Sequence, residues 1–326
     1  MKISVCIPTF NSAAYIGECI ESVLAQKGVE FEAIVFDNAS QDHTWEIIKS
    51  FSDPRVHAFR SDQNRGLAAN FNCAVQQAHG EYIKLLCSDD LLEPGALELQ
   101  AKFLDEHPEL VMATSATRLI DSSGKVKAMV RWISRPVTIG ALELRITSLL
   151  YGNIVGEPSV VLFRREAWLR AGSFRDGLVT LIDLDMWLRL SHHGVVGYLP
   201  IPLCRIRRHT LSMTNQFRAA GEVQESVLRL TEALLCELQA TPLVRRICLG
   251  KVAGSHLRHA LYGVRQGLVQ WPASALAKAF RIDPFFMGLF LYVTLFRSGL
   301  MGLRVGAQGK PSICTTGTFD NLPTCR

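Results

Sequence analysis

Asp89 and Asp90 close the apolar run Tyr82-Ile83-Lys84-Leu85-Leu86 where a buried strand would leave a sheet, and Asp37 closes the run Phe31–Phe36 in the same way. In open α/β sheets, ligands bind beyond the carboxyl ends of the strands, where loops converge and helix N-termini face phosphates. Carboxylates repel a pyrophosphate, so a pair of them at such an edge implies an intervening divalent cation that takes hard oxygen ligands. The pattern therefore predicts a nucleotide held with Mg²⁺ or Mn²⁺. The competing role for Asp89 and Asp90 is to cap a helix opening near Pro94, since Asp is favoured at N-caps and Pro in the first turn.

The elements that must position these acids alternate along the first hundred residues. Ile3 to Ile7 reads as a strand, Ser12 to Gln26 as a helix with Ile16, Ile20, Val23 and Leu24 on one face, and Phe31 to Phe36 as a strand. A helix from Asp42 to Phe51, a strand Val56 to Phe59, a helix Leu67 to Ala78 closed by Gly80, and the strand Tyr82 to Leu86 continue the series. Such alternation predicts a mostly parallel sheet with helices on both faces. A helix after Pro94 leads to a strand over Leu110 to Thr117, after which the pattern loosens. From Phe217 onward it is helical, and the last twenty or so residues read as a flexible tail.

The chain has 326 residues, 48% of them hydrophobic, enough for a large core and about two domains. Nine scattered cysteines without a C-x-x-C pair indicate neither a disulfide framework nor a zinc site and suit a reducing compartment. The N-terminus enters a strand at once, so a cytoplasmic location is expected. Net charge is +5, and residues 216–326 hold 13 Lys and Arg against 6 Asp and Glu, so the basic excess belongs to the C-terminal third. The same third contains the apolar run Phe285–Phe296. That run is too short for the ~20 residues of a spanning helix, leaving interfacial membrane contact or burial in a helical bundle.

In order along the chain stand Val5-Cys6-Ile7-Pro8-Thr9-Phe10-Asn11, Phe36-Asp37-Asn38-Ala39-Ser40 with Asp42 and Thr44, Asn64-Arg65-Gly66, and Gly80-Glu81-Tyr82-Ile83 leading into Leu86-Cys87-Ser88-Asp89-Asp90. Further on come Glu157-Pro158-Ser159, Gly172-Ser173-Phe174, Asp183-Leu184-Asp185-Met186-Trp187-Leu188-Arg189, and His209 with Ser212 and Thr214. Over residues 1–215 this ordered set resembles the family 2 glycosyltransferases of the GT-A type. The resemblance implies an α/β fold in which a Rossmann-like, mostly parallel sheet is flanked by helices, with a catalytic domain over 1–215. A helical, membrane-associating region over 216–304 and a tail over 305–326 would follow.

It also implies roles. Pro8, Thr9 and Asn11 would cradle the nucleotide, Asp37 would recognise base or ribose through its acceptor oxygens, and Asn64 and Gly66 would contact the nucleotide from the loop after the third strand. Turn chemistry is the alternative for Asp37, Asn64 and Gly66. Where the family has Asp-x-Asp, this chain has Cys87-Ser88-Asp89. A neutral thiol is a poor ligand for hard cations, so Asp89 is expected as the main metal contact, with Asp90 in support and His209 as a late ligand to metal or diphosphate. Asp185 can pair with Arg189 one helical turn on, whereas Asp183 has no such partner and matches the family's catalytic carboxylate. A base beside Trp187 would have its pKa raised by desolvation. Glu157 and Trp187 are expected at the acceptor pocket.

The expectation is an inverting, metal-assisted transferase taking a nucleoside-diphosphate sugar, most simply a UDP-sugar, to a hydroxyl of a glycan or lipid-linked acceptor in surface polysaccharide synthesis, at the inner membrane face and without a nucleic-acid partner. A catalytically silent member of a membrane assembly complex is the alternative that the loss of Asp at position 87 raises. A dinucleotide oxidoreductase is disfavoured because Pro8-Thr9-Phe10-Asn11 follows the first strand in place of G-x-G-x-x-G.

Overall fold

The structure, a computed structural model, describes residues 2–178, 180–209, 222–265 and 277–283. A ten-stranded sheet runs through it. The first half is built from β1 (Ile3–Thr9), α1 (Ile16–Leu24), β2 (Phe31–Asp37), α2 (Thr44–Lys49), β3 (Val56–Arg60), α3 (Leu67–Gln76) and β4 (Tyr82–Leu85). Its strands lie in the order β3-β2-β1-β4, all parallel, so that the ends of β1 and β2 lie side by side with Thr9 opposite Asp37. Strands β1, β2 and β4 are buried along their whole length because helices cover both faces, and the edge strand β3 is largely exposed. Gly80 sits where a Cβ would come within 2.6 Å of Ser4 N, so only glycine allows α3 to hand the chain into β4 at that point.

The second half is the part whose pattern loosens in the sequence. After β5 (Leu91–Leu92) and α4 (Ala96–Glu106) come β6 (Leu110–Ile120), β7 (Val126–Val130), β8 (Val137–Ile139), α5 (Ala141–Tyr151), β9 (Leu162–Arg164), α6 (Arg165–Ala171), α7 (Ile182–Leu190) and β10 (Val195–Arg207). Strand β9 inserts antiparallel between β4 and β6, and the long β10 then runs parallel to β6 with register shifts around Pro202. The sheet is thus mixed, but its longest ladders are parallel.

Helices α8 (Glu222–Glu237) and α9 (Pro242–Arg265) join the main hydrophobic core through Leu230, Leu234, Leu235 and Cys248. Arg145 of α5, almost fully buried, donates to Glu237 Oε1 at 2.7 Å and to the Leu188 carbonyl at 3.1 Å. None of the described helices is long and apolar enough to cross a membrane. The run Phe285–Phe296, the tail, Ser212, Thr214 and the expected boundary at 215/216 lie outside the described residues.

Three element bounds differ from expectation for physical reasons. Strand β1 continues through Thr9, so Pro8 and Thr9 are buried ladder residues and only Asn11 of that motif stands in the loop. Helix α1 opens at Ile16, because Asn11 adopts a positive φ of 48° and the Ser12 carbonyl closes a turn onto Tyr15 N and Ile16 N. Helix α4 opens at Ala96 with Gly95 as its N-cap and no side-chain cap, which removes the capping role considered for Asp89 and Asp90.

Candidate active site

The loops after β1, β2, β3 and β4 meet at one rim through side chains. Ser40 Oγ accepts from Asn11 N at 2.9 Å, and Asn11 Oδ1 accepts from Gln41 N at 2.8 Å, which ties the first loop to the second. Ser12 Oγ lies 2.7 Å from Ser88 Oγ, which ties the first loop to the acidic one. Asn38 is the hub toward the third: its Nδ2 donates to Asn64 Oδ1 at 2.9 Å and its Oδ1 accepts from Arg65 N at 2.9 Å. Asn64 Oδ1 also accepts from Gly66 N, and Gly66, at φ +85°, opens α3. Asn64 and Gly66 are exposed at this rim. Asp37 is fully enclosed, its carboxylate bonded by the Ser40 hydroxyl and held 3.1 Å from Arg60 Nε.

The loop Cys87–Asp90 carries two carboxylates in different surroundings. Asp90 is buried and committed: its Oδ2 accepts from Ser159 Oγ at 2.5 Å and its Oδ1 from Arg207 N at 2.9 Å. Burial, then the neighbouring Asp89 charge, push its pKa well above the ordinary carboxylate range. Asp89 is partly exposed, with its Oδ2 3.0 Å from His209 Nε2, and its carbonyl accepts from Arg207 Nε at 2.9 Å. Arg207 also reaches Glu18 at 2.7 Å and lies over the Tyr15 ring, which in turn packs against His209. Cys87 Sγ and an oxygen from each of Asp89 and Asp90 lie within 4.8 Å of one another. This donor set fits a hard divalent cation through Asp89, the carboxylate that is open to solvent, with Asp90 and the imidazole beside it. Burial holds the Cys87 thiol protonated by pushing its pKa well up.

Asp183 lies in the first turn of α7. Leu184 N donates to its Oδ1 at 2.8 Å and Asn153 Nδ2 to its Oδ2 at 3.0 Å. Enclosure by the surrounding protein pushes the carboxyl up to about 7, with the Leu184 and Asn153 hydrogen bonds acting against it and the charge of Glu157 adding to it. Asp185 behaves as expected and pairs with Arg189 at 2.8 Å, but the pair is mostly buried, and Arg189 uses its remaining donors on the carbonyls of Ala171, Gly172 and Ser173.

One short segment, 153–159, holds both carboxylate sites. Asn153 fixes Asp183 at one end, and at the other Ser159 accepts from Cys87 N at 2.9 Å while donating to Asp90. The segment is itself anchored: Thr114 Oγ1 donates to Val155 O at 2.5 Å, and Asn153 Nδ2 and Trp187 Nε1 donate to Gly156 O. Trp187, expected at the acceptor pocket, is fully buried against Phe163 and acts only through that bond to Gly156. Glu157 remains at the surface, in an ion pair with Arg208. Asn38, Asn153, Ser159 and Arg207 were not singled out from the sequence as site residues. Asn38 and Ser159 stand inside the ordered motifs, but nothing local marks a hydroxyl or a backbone N–H as the partner of an acid 69 or 117 positions away.

Comparison with known proteins agrees with this geometry. The profile of Glycosyl transferase family 2 matches residues 4–168. The chain is 36% identical to the Uncharacterized protein MT1568 of Mycobacterium tuberculosis over 64% of this chain and 67% of that one. It is 32% identical to the Chondroitin synthase of Pasteurella multocida over 60% of this chain, which is only 20% of that longer protein. It is 27% identical to the Putative glycosyltransferase EpsE of Bacillus subtilis, over 82% of this chain and 98% of that one. Among solved structures, S. aureus TarS 1-349 in complex with UDP-GlcNAc superposes with a TM-score of 0.57 at 19% identity, covering 99% of this chain and all of that one, which speaks to the fold. With a GT-A sheet, an acidic loop at the end of β4 and a family match across half its length, this chain belongs to glycosyl transferase family 2 and is a glycosyltransferase.

Proposed function

We propose that the protein transfers a sugar, with inversion, from a nucleoside diphosphate, most simply UDP, to a hydroxyl of a glycan or lipid-linked acceptor in surface polysaccharide synthesis. The observation that carries this reading is the 153–159 segment, which braces the acidic donor loop through Ser159 and the Asp183 carboxyl through Asn153. The UDP-GlcNAc named with the TarS structure and the synthase names of relatives support the donor and product classes.

The nucleoside sits against the ends of β1, β2 and β3, beside Asn11, Asn64 and Gly66, with the buried Pro8 and Thr9 stiffening the strand behind. Asp37 reads base or ribose once the Ser40 hydroxyl and the Arg60 guanidinium that now enclose it move aside. Asp89 and His209, with Asp90 beside them, would hold a Mg²⁺ or Mn²⁺ ion, which would supply positive charge for the leaving diphosphate. Asp183 takes the proton of the acceptor hydroxyl while the acceptor oxygen bonds to the anomeric carbon, and the bond from that carbon to the diphosphate oxygen breaks on the opposite face. A carboxyl titrating near neutrality suits that proton transfer. The protein works at the cytoplasmic membrane face, a reading supported by the basic C-terminal third and by exposed Leu243 and Val244 beside Arg245 and Arg246.

The test is release of UDP from a panel of UDP-sugars with Mn²⁺, followed by the anomeric configuration of the product by NMR. Failure to bind or turn over any nucleotide sugar, or retention of configuration, would defeat the proposal.

A further inference from the structure

A second concavity opens beside Glu157, on the side of the sheet edge where β6 and β7 pair. It holds about 250 Å³ and is lined by Thr117, Leu119, Val130, Trp132, Glu157 and Arg208, with Arg131 at its rim. That volume falls below the roughly 300 Å³ at which pockets for drug-sized ligands begin, which leaves room for one ring.

Its chemistry is divided. Trp132 supplies a flat apolar wall, and it is a fixed one: its ring stacks on Tyr198 at 5.6 Å with an interplanar angle of 6°, and its backbone N donates to the Tyr198 hydroxyl at 3.0 Å. Leu119 and Val130 extend the apolar lining. The lining also includes Thr117, whose hydroxyl donates to the Cys204 carbonyl at 2.8 Å, and the carboxylate and guanidinium of Glu157 and Arg208, which are ion-paired at the surface. An aromatic plate facing a few oriented polar groups fits a molecule with one apolar face of C–H bonds and an edge of hydroxyls, which is a pyranose. The position also fits, because Glu157 follows Gly156, whose carbonyl shares the Asn153 amide with Asp183.

We propose that this pocket is the acceptor subsite, with one hexopyranose stacked on Trp132 and its hydroxyls on Glu157 and Arg208, so that a further hydroxyl is presented toward Asp183. The inference rests on the transferase reading above and replaces Trp187 by Trp132 as the aromatic that touches acceptor.

Saturation-transfer NMR with p-nitrophenyl hexopyranosides as probes tests it without turnover, alongside two kinetic measurements, UDP-sugar hydrolysis to water and transfer to the same probes. Trp132→Ala should lose at least fivefold of the saturation-transfer signal and raise the probe KM about tenfold or more, while hydrolysis to water and UDP binding stay within about twofold. Trp132→Phe should recover most of the probe KM. If no probe binds to the wild-type protein, if the probe KM is unmoved by Trp132→Ala, or if hydrolysis falls in parallel with transfer, the subsite is wrong. A wild-type protein that binds the probes through Trp132 yet turns over no nucleotide sugar would instead defeat the transferase reading and leave the pocket standing.

Discussion

Asn153 and Asp183 share a hydrogen bond of 3.0 Å from the same amide that holds the Gly156 carbonyl, so the acid on α7 is oriented by the loop that follows α5. That bond also lowers the carboxyl's pKa against the larger effect of enclosure. Turnover with Asp183 as base should rise with pH through about 7, and Asn153→Ala should move the midpoint upward, because the hydrogen bond that favours the charged form is gone. A pH profile of kcat for the two proteins checks it, and an unchanged midpoint would refute the assignment.

Asp183→Asn should lower kcat by roughly 10²–10⁴-fold, the range for loss of a positioned base, with UDP affinity nearly intact. Stability should change in the other direction. The folded pKa of about 7 lies above the unfolded 3.8, so the protonated acid's contribution is fully present below 3.8 and is lost as pH rises toward about 7. The melting temperature of Asp183→Asn relative to wild type should therefore improve on going from about pH 4 to about pH 8, and calorimetry at both ends measures it.

Removing divalent cations with EDTA should suppress turnover and added Mn²⁺ should restore it. Asp89→Ala should abolish the restoration and His209→Ala should demand more Mn²⁺ for half-maximal rate, because Asp89 is the open carboxylate and His209 lies 3.0 Å from it. Titration of Mn²⁺ by electron paramagnetic resonance reads the affinity directly. Arg189→Ala is not the neutral control its sequence position implies, since its guanidinium also holds three carbonyls.

Ser159→Ala leaves a buried carboxylate oxygen and Cys87 N without their shared partner. A loss of about 1–3 kcal/mol is expected from an unsatisfied buried group, read as a lower urea midpoint at unchanged m-value. Trp187→Ala should cost about 3–5 kcal/mol as a core cavity, whereas the half-buried Trp132 should cost less and act on acceptor instead.

The parallel half of the fold was legible because β1, β2 and β4 are buried on both faces and read as mostly apolar runs ended by an acid or a turn. The loops that carry Asp37 and Asp89 lie on the same edge of the sheet, linked through Ser40, Asn11, Ser12 and Ser88, although Asp37 itself is enclosed. The second half was not legible to the same degree. Strand β9 is three residues long, and β10 carries Pro200 and Pro202 through register shifts, so neither shows a clean period. Trp187 and Trp132 show the same limit within the site: sequence places an indole near an acid, but only packing decides whether it faces the core or a cavity.

The bracing of both acids by residues 153–159 has a consequence for how such a catalyst could change its partners. Any drift in that stretch reaches the acidic loop after β4 and the Asp183 carboxyl together, so sequence has little freedom there. The hairpin around β7 is different, since Val126 and Met129 stand exposed and the strand pairs only with β6. If the proposed pocket receives the acceptor, changes in that hairpin alter acceptor preference while both acids keep their bracing.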